Sequence, residues 1–363
     1  MPLVPPYIES LQPYKAGKPV EEVKREFGLK DIIKLASNEN PLGSSPMAIK
    51  ELRTRIDGLN YYPDGGFDLR TVLAEKVKVK IDNVIIGNGS DGIMSYIIRA
   101  FLCDDDEVLT TEAAFIGFQV LARSRGVKYQ TVPYKNWRYD LPALANKINE
   151  HTKIIYLANP NNPTGTIFTK QEFDVFYKKV PERVLIILDE AYFEYAQDNP
   201  SYPDSMQYRY DNVITLRTFS KIYGLAGLRI GYGFAHETLI WNLLKVKLPF
   251  EPNTLAQSAA IGALKDTDFI HRALELNSRG LPFVTNSLRE IGMNVASSEA
   301  NFVMIEMKTK DEVNTIYLEL LKRGVIIRPL KAFGLPHCMR ITIGTDEQNQ
   351  TLIEKMREVL NKR

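Results

Sequence analysis

Through the middle of the chain, apolar runs of strand length alternate with stretches whose apolar residues recur every three to four positions. The runs predict strands at 84–87, 107–111, 128–133, 153–158, 184–189, 213–217 and 229–234. The helical periodicity predicts helices at 67–77, 90–102, 116–125, 169–179 and 236–246. Strand and helix in turn make an α/β layer fold on a mostly parallel, seven-stranded sheet. After a long helical region from about 253 to 291 the rhythm changes. Strands near 301–307, 324–328 and 338–343, with helices near 309–322 and 346–361, read as a small α+β domain. A chain of 363 residues exceeds one typical core. The expected division is an extended segment 1–30 packing on the small domain or a partner, a large domain 31–260 and a small domain 261–363.

Polar chemistry gathers at the ends of three of these runs. Val213-Ile214-Thr215-Leu216 leads into Arg217-Thr218-Phe219-Ser220-Lys221 and on to Arg229, which sets one lysine between a hydroxyl residue and an arginine. A lysine at the end of a buried strand is costly to desolvate unless it is neutral or covalently used. Attachment to an aldehyde cofactor is one such use. A second run leads into Asn159-Pro160-Asn161-Asn162-Pro163-Thr164-Gly165, and a third into Asp189-Glu190-Ala191-Tyr192. Ligands of open parallel sheets bind outside the carboxyl ends of the strands, so the three clusters converge if their strands are parallel. Asp189 is then an acid at the base of a pocket, suited to a protonated pyridine nitrogen. Asn162 and Tyr192 come within reach of the phenolic oxygen of the same ring. Singly, each segment has a plainer reading: a surface loop for Lys221, a turn for the Asn-Pro-Asn-Asn-Pro-Thr-Gly run and a helix N-cap for Asp189. Together those readings leave the order Asn, Asp, Lys, Arg without a cause.

Gly87-Asn88-Gly89-Ser90-Asp91-Gly92 fits the dinucleotide pattern G-x-G-x-x-G, follows a strand, opens a helix and has Glu112 twenty residues beyond Gly92. A nucleotide-dependent oxidoreductase is therefore a rival reading, although it gives Asn162, Asp189 and Lys221 nothing to do. Backbone N–H groups at a helix N-terminus hold any phosphate. Gly89, Ser90 and Asp91 serve equally as the cradle of a phosphorylated aldehyde, with Ser220 and Arg229 adding a hydroxyl and a guanidinium.

These segments, with Leu35-Ala36-Ser37-Asn38-Glu39-Asn40-Pro41-Leu42-Gly43 and Met339-Arg340-Ile341-Thr342-Ile343-Gly344-Thr345, resemble the fold-type I pyridoxal-phosphate aminotransferases. The closest resemblance is to the histidinol-phosphate aminotransferases, in order along almost the whole chain. It implies pyridoxal 5'-phosphate as cofactor, Lys221, Asp189 and Tyr192 as catalytic residues, and a homodimer. The implied reaction moves the amino group of histidinol phosphate to 2-oxoglutarate in histidine biosynthesis. By the same resemblance Phe115 stacks on the pyridine ring, and Tyr62 reaches the cofactor phosphate of the neighbouring subunit. Arg340 and Arg328 hold the anionic groups of the substrates, Tyr14 closes over them, and Asn162 lines their site. The two arginines also invite attention alone, because a guanidinium in an apolar strand wants a buried anion; an internal salt bridge is the plainer reading.

The chain departs from the family pattern at Gly92, where an acid is usual, and at Phe115 and Phe118, where tyrosine is common. It departs again at Pro249-Phe250-Glu251-Pro252-Asn253, where Pro-Phe-Asn-Val-Asn is common. The last departure leaves an aromatic amino acid aminotransferase of the same branch open as the alternative; a pyridoxal-phosphate decarboxylase is more remote. A net charge of +2, from 46 basic and 44 acidic residues, gives no reason to expect nucleic acid or an anionic membrane as partner. Two cysteines far apart in sequence fit a reduced, cytoplasmic protein. Four histidines without ligand-like spacing suggest no metal site. No apolar stretch approaches the ~18 residues that span a membrane, and the first residues lack the regions of a signal peptide. Small-molecule substrates are the expected partners.

Overall fold

The computed structural model describes residues 3–13, 17–208 and 210–361. One sheet holds seven strands: β1 (Val84–Gly87), β2 (Glu107–Thr111), β3 (Lys128–Val132), β4 (Thr152–Ala158), β5 (Leu185–Asp189), β6 (Val213–Thr218) and β7 (Gly231–Phe234). Their spatial order is β1-β7-β6-β5-β4-β2-β3. β7 runs antiparallel to β1 and β6, and the other neighbours are parallel. The last strand is shorter than its apolar pattern suggests: Arg229 takes a left-handed φ of 53°, so β7 starts at Gly231.

The inner stretches of the central strands are largely apolar because both faces of the sheet are covered. Ile154, Tyr156, Ile187 and Ile214 pack on one side with residues of the helices Gly89–Phe101, Ile116–Ser124 and Glu237–Val246. Their neighbours Ile155, Leu157, Ile186 and Leu188 pack on the other with the helices Leu141–Lys147 and Lys170–Tyr177. Each such side chain contributes roughly 1.5–3 kcal/mol by burial, so the strand ends that carry the polar clusters stand on a rigid base.

A second, four-stranded antiparallel sheet joins Arg328–Pro329, Cys338–Thr342, Phe302–Glu306 and Asn294–Val295. Helices Lys310–Leu321, Asp346–Asn361 and the end of Thr267–Glu290 cover it. The long helical region is two helices, Thr254–Lys265 and Thr267–Glu290. Asp266 separates them, capping the second through the Phe269 N–H at 3.3 Å while it accepts from Ser45 Oγ at 2.6 Å.

The N-terminal part differs from expectation. The segment 1–30, expected to be extended, contains the helix Val20–Phe27, whose Val23 is buried against Ala36, Leu321 and Ile326. The positions Val20, Val23 and Phe27 carry the helical period that drives this docking. Ile33–Lys34 pairs in parallel with Val325–Ile326, and Leu35 lies in the core of the smaller layer, so this stretch packs there and not on the large sheet. Two unforeseen helices, Pro46–Arg53 and Leu141–Lys147, have clear start signals: Ser45 and Asp140 cap them and a proline follows in the first turn. Among the described residues no helix is long and apolar enough to cross a membrane.

Candidate active site

Strand register decides what meets. Ala158 lies opposite Asp189, Asp189 opposite Leu216, and Gly231 opposite both Thr218 and Gly87. The segments following β1, β4, β5 and β6 therefore share one edge of the sheet. They surround a cleft lined by Ser90, Asp91, Phe115, Asn162, Asp189, Tyr192, Ser220, Lys221 and Arg229.

Lys221 is half-buried, with Nζ 3.4 Å from the Ser37 carbonyl and 5.5 Å from the centre of the Tyr192 ring. Asp189 is only 5% exposed. Its Oδ2 accepts from the Tyr156 hydroxyl at 2.6 Å and its Oδ1 from the Ala191 N–H at 3.2 Å. Burial raises its carboxyl from 3.8 to about 6; the Tyr156 hydrogen bond opposes that rise and the charge of Asp91 adds to it. Asp91 is also raised by burial, against the pull of Arg229 and Lys221. A cationic ring nitrogen beside Asp189 would offset this desolvation.

The start of the helix Gly89–Phe101 fits a phosphate. Its N-cap residue Asn88 makes no side-chain cap, so the first-turn N–H groups of Gly89, Ser90 and Asp91 receive no help from it. Gly89 has φ 73°, and a Cβ there would lie 2.8 Å from Arg229 Nη2. A Cβ at Gly231 would lie 2.4 Å from the Ser90 backbone nitrogen. Close backbone approach requires glycine at 231 and the left-handed φ favours it at 89, and the room they leave is a cradle of backbone N–H groups. Arg229 closes it, donating through Nη1 to Ser220 Oγ at 3.3 Å and lying 3.4 Å from Asp91 Oδ2. Phe115 lines the cleft, whereas Phe118 is fully buried and stacks on Tyr156 with ring centres 4.1 Å apart.

Arg340 and Arg328, both buried, are direct partners on neighbouring antiparallel strands. Residues so placed project from the same face of a sheet, and two cations in register favour an anion beside them. Arg340 donates to Asn162 Oδ1 and, at 3.0 Å, to the Ala36 carbonyl. The first of these bonds turns the Asn162 NH₂ group away from the arginine.

Not every candidate lies in the cleft. Tyr62 is 79% exposed, stacks on Phe250 at 4.2 Å and lines a separate surface depression. Tyr14 lies outside the described residues. Glu251 accepts from the Tyr96 hydroxyl, on the helix that begins with the phosphate cradle. Two contributors escaped the reading of the sequence: Tyr156, hidden in an apolar strand, and Asn38, which donates through Nδ2 to the Tyr192 hydroxyl at 2.8 Å. The Gly87–Gly92 loop, a rival dinucleotide site by its sequence pattern, does not stand in that arrangement. The dinucleotide arrangement puts its first strand inside a parallel sheet beside the next one. Here β1 is an edge strand against the reversed β7, and Glu112 follows β2 at the far side of the sheet.

The fold and the cleft define a class: the chain belongs to the aminotransferases of class I and II, whose family pattern matches residues 30–356. Within that class it is 43% identical over 357 residues to the histidinol-phosphate aminotransferase of Moorella thermoacetica, covering 97% of this chain and 92% of that one. It is 45% identical over 350 residues to the histidinol-phosphate aminotransferase of Brevibacillus brevis, covering 96% and 95%. The crystal structure of histidinol-phosphate aminotransferase from Sinorhizobium meliloti in complex with pyridoxal-5'-phosphate superposes with a TM-score of 0.91 at 28% identity, covering 100% of this chain and 98% of that one.

Proposed function

We propose that this protein is a pyridoxal 5'-phosphate-dependent transaminase that passes the amino group of histidinol phosphate to 2-oxoglutarate, as a homodimer in the cytoplasm. The observation that carries the reading is the convergence of Lys221, buried Asp189 and the glycine-cleared helix start at Gly89 on one cleft. The full-length identity to named histidinol-phosphate aminotransferases supports the substrate.

When bound, the cofactor supplies an aldehyde to take up the amino group and a ring to spread the electrons released at the substrate carbon. The N–H groups of Gly89, Ser90 and Asp91, with the Ser220 hydroxyl and Arg229 guanidinium, bind its phosphate. Phe115 covers the face of the ring. Asp189 holds the proton on the ring nitrogen, and that cation in turn keeps the carboxylate ionised. Tyr192 and the NH₂ group of Asn162 bind the phenolic oxygen. Lys221, anchored where β6 ends, holds the cofactor and carries a proton to and from the substrate carbon through Nζ. Arg340 and Arg328 receive the phosphate of one substrate and the carboxylate of the other in turn, with Tyr14 closing the site. Cys103 and Cys338 are free thiols, which suits a reducing compartment. We place the second copy over the exposed, mutually stacked Tyr62 and Phe250 and the exposed apolar residues near them in sequence, Leu59, Tyr61, Phe67 and Leu248, and Tyr62 then serves the neighbour's cofactor.

The test is the visible absorbance of the cofactor-loaded protein mixed with L-histidinol phosphate and no oxo acid. A stoichiometric loss of the visible band is expected, restored by 2-oxoglutarate. A band that ignores histidinol phosphate but responds to phenylalanine would move the substrate to aromatic amino acids, and absence of any band with added pyridoxal phosphate would end the proposal.

A further inference from the structure

Asn38 is 1% exposed and holds a left-handed φ of 56°. That conformation is uncommon outside glycine, and it persists where the surroundings over-determine it. Every polar group of this residue is engaged. Its N–H donates to Thr342 Oγ1 at 2.9 Å, and its carbonyl accepts from Asn301 Nδ2 at 3.1 Å. Its carboxamide lies 3.1 Å from Thr342 Oγ1 and 2.8 Å from the Tyr192 hydroxyl.

The direction of each bond follows from the donor inventory. A backbone N–H is always a donor, so Thr342 Oγ1 accepts there. The threonine's own hydrogen then goes to the acceptor beside it, the Asn38 carboxamide oxygen. That orients the NH₂ group toward Tyr192, whose oxygen accepts. The Tyr192 hydrogen is thereby left for another acceptor, and Tyr192 lines the cleft next to Lys221.

We propose that Asn38 is a positioning residue that sets the hydrogen-bond polarity of Tyr192, reserving its O–H for the phenolic oxygen of the cofactor. The inference rests on the function proposed above. Because Thr342 lies two residues beyond Arg340 on the same strand, the same amide ties the polarity of Tyr192 to the position of the substrate arginine. A donor at the phenolic oxygen spreads its negative charge, so that oxygen grips the proton it shares with the Lys221 nitrogen less tightly.

Asn38→Asp tests this. Aspartate tolerates the left-handed backbone and matches the shape, but it replaces the donor by an acceptor toward which the Tyr192 O–H turns. The readout is the apparent pKa of the visible band of the cofactor-loaded protein, titrated by absorbance. Asn38→Asp is expected to raise it, and to raise it by about one unit, about tenfold, more than the same substitution does in a Tyr192→Phe background. The added negative charge acts in both backgrounds and cancels in that difference. Equal shifts in the two backgrounds would overturn the proposal, because a purely structural role does not need the Tyr192 hydroxyl. Asn38→Gly keeps the backbone and removes the amide donor, so the Tyr192 hydroxyl is no longer fixed and its hydrogen is no longer held toward the phenolic oxygen. It is expected to shift the band less than Asn38→Asp, and not at all in Tyr192→Phe. If the aspartate variant does not fold, this second pair decides: identical glycine shifts in both backgrounds overturn the assignment. A wild-type protein that shows no cofactor band fails the functional reading instead, separately from Asn38.

Discussion

Asp189 should cost the cofactor-free protein stability, and removing its charge should restore it. The carboxyl is buried and raised from 3.8 to about 6. That displacement corresponds to about 3 kcal/mol between the two protonation states. An acid whose folded-state pKa is raised contributes its stability below the unfolded value and loses it as pH rises through the folded one. Between about pH 4 and pH 6–7, cofactor-free wild type should therefore lose about 3 kcal/mol that an uncharged residue would not lose. Asp189→Asn supplies that residue: its Oδ1 still accepts from the Tyr156 hydroxyl, and its shape is nearly unchanged. Urea unfolding of both proteins without cofactor, at fixed protomer concentration, should give near-equal stabilities around pH 4. At pH 8 the variant should be the more stable, by up to about 3 kcal/mol. With pyridoxal phosphate the order reverses, because the wild-type carboxylate gains a cationic partner that asparagine cannot match. An Asp189→Asn protein that is no more stable than wild type at pH 8 would refute the claim that burial dominates this site.

Tyr156→Phe removes a donor to the Asp189 carboxylate, a bond of about 1.5–3 kcal/mol for a charged acceptor, while keeping the ring that stacks on Phe118. Equilibrium dialysis should show cofactor retention at pH 7 weakened roughly ten- to a hundredfold, with the loss shrinking at higher pH; unchanged retention would remove Tyr156 from the site. Gly231→Ala drives a methyl to 2.4 Å from the Ser90 backbone nitrogen, and such overpacking costs roughly 1–3 kcal/mol. Its Kd for pyridoxal phosphate should rise about tenfold or more while binding of unphosphorylated pyridoxal changes little; an equal loss for both would argue against a phosphate cradle at Gly89. Arg340→Lys keeps the charge but loses the planar fork. The KM for histidinol phosphate should rise by about an order of magnitude with a smaller change in kcat, and a lowered kcat at constant KM would place the arginine's role elsewhere.

Local pattern determined much of this protein. Apolar runs located the strands of the large sheet to within a few residues, most sharply at 154–158, 185–188 and 213–216, where burial on both faces leaves few polar positions to blur the signal. The polar clusters at Asn162, Asp189 and Lys221 were legible because each stands directly after such a run. Less was legible where structure depends on distant partners. The helix Val20–Phe27 is defined by a docking face made of Leu321 and Ile326, about 300 residues away. The dinucleotide pattern at Gly87–Gly92 is disfavoured in the sequence because it leaves Asn162, Asp189 and Lys221 idle, and strand order, which no local pattern encodes, adds the geometric reason. Tyr156 looks like any strand residue until register sets Ala158 opposite Asp189 and brings its hydroxyl to the carboxylate. Asn38 acquires its role from Thr342, Asn301 and Tyr192, three residues from distant parts of the chain. Residue types and their spacing specified which groups are present and on which elements; hydrogen-bond direction, opposed charges and burial arise only when those elements pack, because each depends on a partner that the chain supplies from elsewhere.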